Sequence, residues 1–137
     1  MVLAALRLVA VTTLVAAMLG GCVTSPDRAM SSRLVGKWSH LRYFDEKRVE
    51  DATEIHSDGT LDRRGVIRDV TGSRTYTARG VWHIENAVYH EKIEWSDFPG
   101  WKPGPETAQA MVSVSDWEWV MKEAPTGAEI RFWRYPQ

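Results

Sequence analysis

Residues 74–84 read RTYTARGVWHI, and their alternation sets the fold class. Tyr76, Ala78, Gly80, Trp82 and Ile84 fall on one face of an extended chain, and Thr75, Thr77, Arg79, Val81 and His83 fall on the other. Successive side chains of a strand point to opposite faces, so this is the pattern of a strand with one buried side. Asn86 marks a tight turn. After it, Val88 to Trp95 places Tyr89, Ile93 and Trp95 on one side, with His90, Lys92 and Glu94 opposite. The two segments predict an antiparallel hairpin.

The same reading extends in both directions. Lys37 to Phe44, Ala52 to Ser57, Thr60 to Asp69, Ala108 to Val114, Trp117 to Lys122 and Glu129 to Tyr135 are short segments of strand character. Asp58-Gly59, Thr71-Gly72-Ser73 and Pro125-Thr126-Gly127 separate some of them with turn residues. The charged groups Asp45-Glu46-Lys47-Arg48 and Asp62-Arg63-Arg64 read as solvated hairpin or loop positions. Residues 97–106, DFPGWKPGPE, break the alternation, because prolines and glycines disfavour a strand. Phe98 and Trp101 make this a loop that packs on or covers something. The expected fold is all-β. It is an antiparallel up-and-down barrel of about eight strands, or a sandwich, with no amphipathic helix. Closure would hide the strand edges that otherwise invite aggregation.

The N-terminal end has a different character. In residues 1–21 Arg7 is the only charge, and Leu8 to Leu19 is apolar apart from two threonines. That run is shorter than the roughly 20 residues that cross a bilayer, and its layout is that of a secretory signal peptide. It ends Leu19-Gly20-Gly21-Cys22, which contains the chain's one cysteine. This resembles the bacterial lipobox. The resemblance implies that Cys22 receives a diacylglycerol on its thiol, that cleavage occurs just before it, and that the new amino terminus is acylated by a palmitate-like chain. Two or more acyl chains anchor a protein stably in a membrane. Val23, where an inner-membrane lipoprotein often has Asp, favours the outer membrane. The expected organisation is a signal peptide over 1–21, a lipid-anchored tether over 22–33 and one barrel domain over 34–137. With its cysteine acylated, that domain must be stable without a disulfide.

A second resemblance bears on the barrel. Leu34-Val35-Gly36-Lys37-Trp38 resembles the Gly-x-Trp opening of the lipocalin and calycin group. Asp58-Gly59-Thr60, Gly80-Val81-Trp82-His83-Ile84 and Ile130-Arg131-Phe132-Trp133-Arg134 resemble further landmarks of small bacterial lipocalin-like domains. The resemblance implies that Gly36 leads into the first strand, that Trp38 plugs one barrel end, and that Arg131 or Arg134 packs over Trp38 as a cation–π partner. It also implies an apolar ligand. The chain is shorter than a typical lipocalin and lacks the usual C-terminal helix after the barrel.

The seven tryptophans either line a pocket or fill a small core. Trp82, Tyr89, Trp117, Trp119 and Phe132 are the candidate ligand lining. Trp117 and Trp119 are two apart and so share a strand face. The four histidines, His40, His56, His83 and His90, read as surface residues. His83 and His90 flank the turn at Asn86 as cross-strand neighbours, but two imidazoles without a third ligand make a weak metal site. Glu91 and Glu94 have no partner that suggests an acid–base pair. No nucleophile triad, phosphate loop or CxxC occurs, so neither catalysis nor a metal or cofactor is expected. Seventeen basic against eighteen acidic residues give no electrostatic case for nucleic acid. The expected function is a lipid-anchored lipocalin-like protein of the periplasmic face that binds a small apolar ligand. The alternative is a filled barrel that binds or inhibits an envelope protein, with Phe98 and Trp101 as the contact loop.

Overall fold

In the computed structural model, which describes residues 25–135, eight antiparallel strands close into an up-and-down barrel in the order β1-β2-β3-β4-β5-β6-β7-β8. The strands are β1 (Gly36–Phe44), β2 (Lys47–Ile55), β3 (Thr60–Asp69), β4 (Gly72–Glu85), β5 (Val88–Ser96), β6 (Thr107–Val114), β7 (Glu118–Lys122) and β8 (Glu129–Arg134). Trp38 pairs with Arg134 and Ser39 with Trp133, which closes the sheet between β1 and β8. Every strand therefore has two neighbours and no free edge.

Two hairpins are tight for a definite reason. Asp45 and Glu46 join β1 to β2, and Asn86 and Ala87 join β4 to β5. All four residues have positive φ, the geometry of a two-residue turn whose twist matches that of the flanking strands. The charged stretch from Lys47 onward, expected as loop, is the start of β2. Its inward positions Val49, Asp51, Thr53 and Ile55 are all buried, so the strand begins five residues earlier than its apolar residues alone suggested.

The expected tether is also corrected. Residues 26–34 form a helix, α1 (Pro26–Leu34). Its start follows from local chemistry. The Ser25 hydroxyl accepts the Arg28 amide, and proline occupies the first turn, where its missing N–H costs nothing. The helix belongs to the folded domain. Leu34 is fully buried, Met30 packs on the core, and the Asp27 carboxylate accepts the amides of Asn86 and Ala87 at 2.8 and 3.0 Å. Sequence periodicity could not find it, because only Leu34 is buried and Met30 partly so, too short an apolar stripe to stand out. α1 covers the barrel end formed by the start of β1, the β2–β3 and β4–β5 turns and the end of β8. At the opposite, open end lie the β1–β2 and β3–β4 hairpins and the 97–106 loop.

Side chains fill the lumen in two apolar groups. The larger lies toward α1 and contains Leu34, Trp38, Ile55, Leu61, Trp82, Tyr89, Trp119, Met121 and Phe132. The smaller, Val49, Ile67 and Tyr76 with Phe98 against them, lies at the open end.

Candidate functional site

Three places hold the residues singled out by the sequence: the closed end, the middle of the lumen and the outer wall.

At the closed end Gly36 has φ +134°, a conformation that side-chain-bearing residues rarely adopt, and a Cβ there would overlap Nη1 of Arg134. Arg134 spans the plug. Its guanidinium carbon lies 4.2 Å from the centroid of the Trp38 ring, while Nη1 and Nη2 donate to the carbonyls of Val35 (3.1 Å) and Arg33 (2.5 Å). The Trp38 indole donates to the Leu34 carbonyl at 2.7 Å. Arg131, the other candidate, stands on the outer wall, where it pairs with Glu118 at 2.7 Å and Glu129 at 2.6 Å. The two arginines lie an odd number of residues apart and so occupy opposite faces of β8.

The candidate lining residues Trp82, Tyr89, Trp119 and Phe132 meet one another inside the barrel. Trp119 stacks on Phe132 at 4.2 Å and meets Tyr89 edge-on at 4.9 Å and Trp38 at 5.9 Å. Trp82 stacks on Tyr89 at 6.3 Å and donates its indole N–H to the His56 carbonyl. Trp117 is not with them. It is 77% exposed, whereas Trp119 is 1% exposed. The expectation that both share one strand face fails because the Ser115 hydroxyl accepts the amides of Trp117 and Glu118. That turn keeps Trp117 out of β7 and starts the strand at Glu118.

Between the two apolar groups lies a charged layer that the sequence reading placed elsewhere. His40, Asp51, Gly65 and Tyr76 are opposite one another across β1 to β4. In the adjoining row Thr53 faces Arg63. Arg63 donates to Thr53 at 3.0 Å and to Glu91 at 2.8 Å, and the Tyr89 hydroxyl donates to the same Glu91 oxygen at 2.9 Å. The Tyr76 hydroxyl donates to Asp51, whose other oxygen lies 3.3 Å from Arg42. Gly65 makes this approach possible, since a Cβ there would overlap both the Tyr76 ring and the Asp51 carboxylate. His40 stacks on Phe132 at 4.6 Å, and its Nδ1 donates to the Arg131 carbonyl.

Burial governs the titration of this layer. It pushes the Asp51 carboxyl up against the opposing pull of Arg42 and Arg63, and it holds His40 below its ordinary value. It also drives Tyr89 far up, with the Glu91 charge adding to the effect. No buried side-chain nitrogen or oxygen among the described residues lacks a hydrogen-bond partner. The network is closed on itself, with no nucleophile held beside a base. Arg63, expected in a solvated cluster, and Glu91, expected to have no acid–base partner, are each other's counter-ions. Their signal was phase: Arg63 alternates in step with Leu61, Gly65 and Ile67, and Glu91 lies opposite Trp82.

Phe98 and Trp101, expected at a contact loop, are half-buried. Phe98 meets Tyr76 edge-on at 4.9 Å and sits over Val49 and Ile67. The Trp101 amide donates to the Phe98 carbonyl. Cys22 and the signal residues lie outside the described residues.

Against β8, β1, β2, β3 and β4 lies an open concavity of about 630 Å³, lined mainly by outward residues and also by His40, Asp51, Gly65 and Tyr76 of the charged layer. Its floor follows two outward rows, Trp133–Ser39–Ala52–Arg64–Thr77 and Leu41–Glu50–Val66–Thr75. Small side chains at Ser39 and Ala52 leave the hollow, and Leu41, Trp133 and Tyr135 border it with apolar surface that is 39%, 49% and 45% exposed.

Fold and site together define a closed eight-stranded antiparallel up-and-down β-barrel with two apolar clusters in its lumen. The chain matches no protein-family model and no curated protein.

Proposed function

We propose that the chain is a lipoprotein of the bacterial envelope whose lipocalin-like barrel binds a segment of another envelope protein on its outer wall. The observation that carries this reading is the contrast between inside and outside. The rings that would line an apolar cavity are packed against one another, while an open groove bordered by Leu41, Trp133 and Tyr135 faces solvent. Exposed aromatic surface beside a concavity is what a partner site needs.

The lipid anchor belongs to the same reading. Cys22 precedes Ser25 by three peptide units, which reach about 11 Å at most. Acylated Cys22 would therefore hold the α1 end close to the membrane, outer rather than inner by the Val23 criterion. Trp117, exposed at that same end, has the amphipathic character that suits the headgroup region. The open end would then face the periplasm. Cys22→Ser should leave the chain unprocessed or soluble on fractionation. A mature-sized, membrane-bound variant would contradict the anchor.

The groove is tested by site-specific photo-crosslinking in cells, with the probe at Val66 on the groove floor and at Lys92 on the outer face of β5. One dominant adduct from Val66, weakened by Trp133→Ala, is expected. Equal adducts from both positions would remove the groove as the site.

A second reading rests on Phe98. It is the loop side chain between solvent and the open-end group Val49, Ile67 and Tyr76, so its displacement would admit a small apolar molecule to the lumen. Native mass spectrometry of protein from its own host distinguishes the two, since this reading requires a retained small molecule.

A further inference from the structure

His83 and His90 lie directly opposite each other on the outer faces of β4 and β5. Their rings stack face to face, with centroids 4.5 Å apart and planes 6° from parallel. Glu106 supplies a third group that the sequence spacing hid, because it is sixteen residues beyond His90. It closes the 97–106 loop, and its carboxylate accepts from His90 Nδ1 at 2.9 Å. The next residue, Thr107, is fixed by pairing with Glu91 and by a hydroxyl bond to the Glu91 carbonyl. Three elements thus bring two imidazoles and a carboxylate together, with one donor atom from each within 4.8 Å of the others.

We propose that His83, His90 and Glu106 form a binding site for a borderline divalent metal ion of the Zn²⁺ type. Imidazole nitrogen with carboxylate oxygen is the donor set that suits such ions, whereas Mg²⁺ and Ca²⁺ prefer oxygen alone. Tetrahedral bonds of about 2.0–2.2 Å put neighbouring donor atoms roughly 3.3–3.6 Å apart. The three donors would be drawn in from their present spacing by rotation of the exposed His83 and Glu106 side chains. A fourth position opens to solvent and would take water or a group from a partner. Occupation would also tie the end of the 97–106 loop to β4 and β5, the loop that places Phe98 over the open end. The site stands whether or not the proposed lipid anchor and partner groove are right.

The test titrates zinc chloride into the full chain purified in detergent, with calorimetry for stoichiometry and imidazole ¹⁵N resonances for identity. One saturable equivalent is expected, with shifts at the His83 and His90 ring nitrogens. His83→Ala and His90→Ala should each weaken binding at least tenfold, Glu106→Gln several-fold, and His56→Ala not at all. The imidazole resonances report on the unaltered chain, so the test does not depend on how any variant folds. No saturable binding would make the cluster a surface ion pair only. Binding unchanged in the His83→Ala/His90→Ala double variant would place the metal elsewhere. Either result overturns the proposal.

Discussion

At the closed end of the lumen Trp38, Trp119 and Phe132 meet ring to ring, and the Arg134 guanidinium lies over an indole and binds two carbonyls. Beside it, β1, β2 and β3 carry His40, Asp51 and Arg63 inward, held by ion pairs, hydroxyls and, for His40, the Arg131 carbonyl. The first region gains stability from non-directional burial, roughly 25 cal/mol per Å² of apolar surface. The second offsets the cost of desolvating charge by satisfying every group, and such networks contribute little net stability relative to apolar packing. In both regions the inward side chains meet one another, and this packing is what favours the outer wall in the proposed function.

The contrast can be broken by mutation at each level. Trp119→Ala should have the largest effect, about 3–5 kcal/mol of lost stability in a denaturant titration, because it opens a void between Trp38, Tyr89 and Phe132. Arg63→Ala should cost about 2–4 kcal/mol by leaving Glu91 without its counter-ion. The full penalty of a buried pair is reduced by side-chain exposures of 18% and 13%. The sharper comparison is the double change Arg63→Leu/Glu91→Leu, expected to cost about 1–2 kcal/mol, less than Arg63→Ala, because no charge is left unpaired and only the Tyr89 hydroxyl loses its acceptor. A double variant as unstable as Arg63→Ala would mean that the charged layer supports the fold in a way that apolar packing cannot.

Arg134→Ala should cost about 1–3 kcal/mol, the sum of a cation–π contact and two bonds to carbonyls. Arg131→Ala, on the opposite face of β8, should cost less than about 1 kcal/mol, since its ion pairs are solvent-exposed.

The charged layer also predicts a pH response. The folded state lowers the His40 pKa from an ordinary 6.5, so between the folded value and 6.5 the unfolded chain binds more protons. Stability contributed by neutral His40 is present above about pH 6.5 and is lost as the pH falls toward the folded value. Asp51, raised from 3.8, acts in the opposite sense: its contribution is present at lower pH and is lost as the pH rises through its folded value. Denaturation midpoints of the parent and His40→Asn, measured between pH 4 and 8, should diverge above pH 6.5 and converge below it. Parallel curves would show that His40 titrates as an exposed histidine. Smallest in stability is Trp133→Ala, within about 0.5 kcal/mol of the parent, although it should weaken the groove adduct.

The alternation in residues 74–84 and the turn at Asn86 placed β4 and β5, but it left barrel or sandwich open. It also failed at Trp95: a register shift between Arg79 and Gly80 turns Trp95, expected beside Tyr89 and Ile93, to the outer face against Arg79. The charged layer was not legible either. Arg63 and Asp51 hold inward positions that composition assigns to solvent, and only register with neighbouring strands shows their direction. Trp117 was misplaced because a serine-capped turn ends the periodicity before β7. α1 escaped notice because a helix that buries only Leu34, and Met30 in part, has almost no apolar stripe. Glu106 joined His83 and His90 only once the β5–β6 pairing was known, since contact across a long loop leaves no local signal.

The central claim is that the lumen is occupied by the protein's own side chains and that binding takes place outside it. Native mass spectrometry of the protein extracted from its own host membrane tests this most directly. The account predicts the mass of the chain with its lipid and no further small molecule. A stoichiometric small molecule, retained through purification and lost on unfolding, would contradict it.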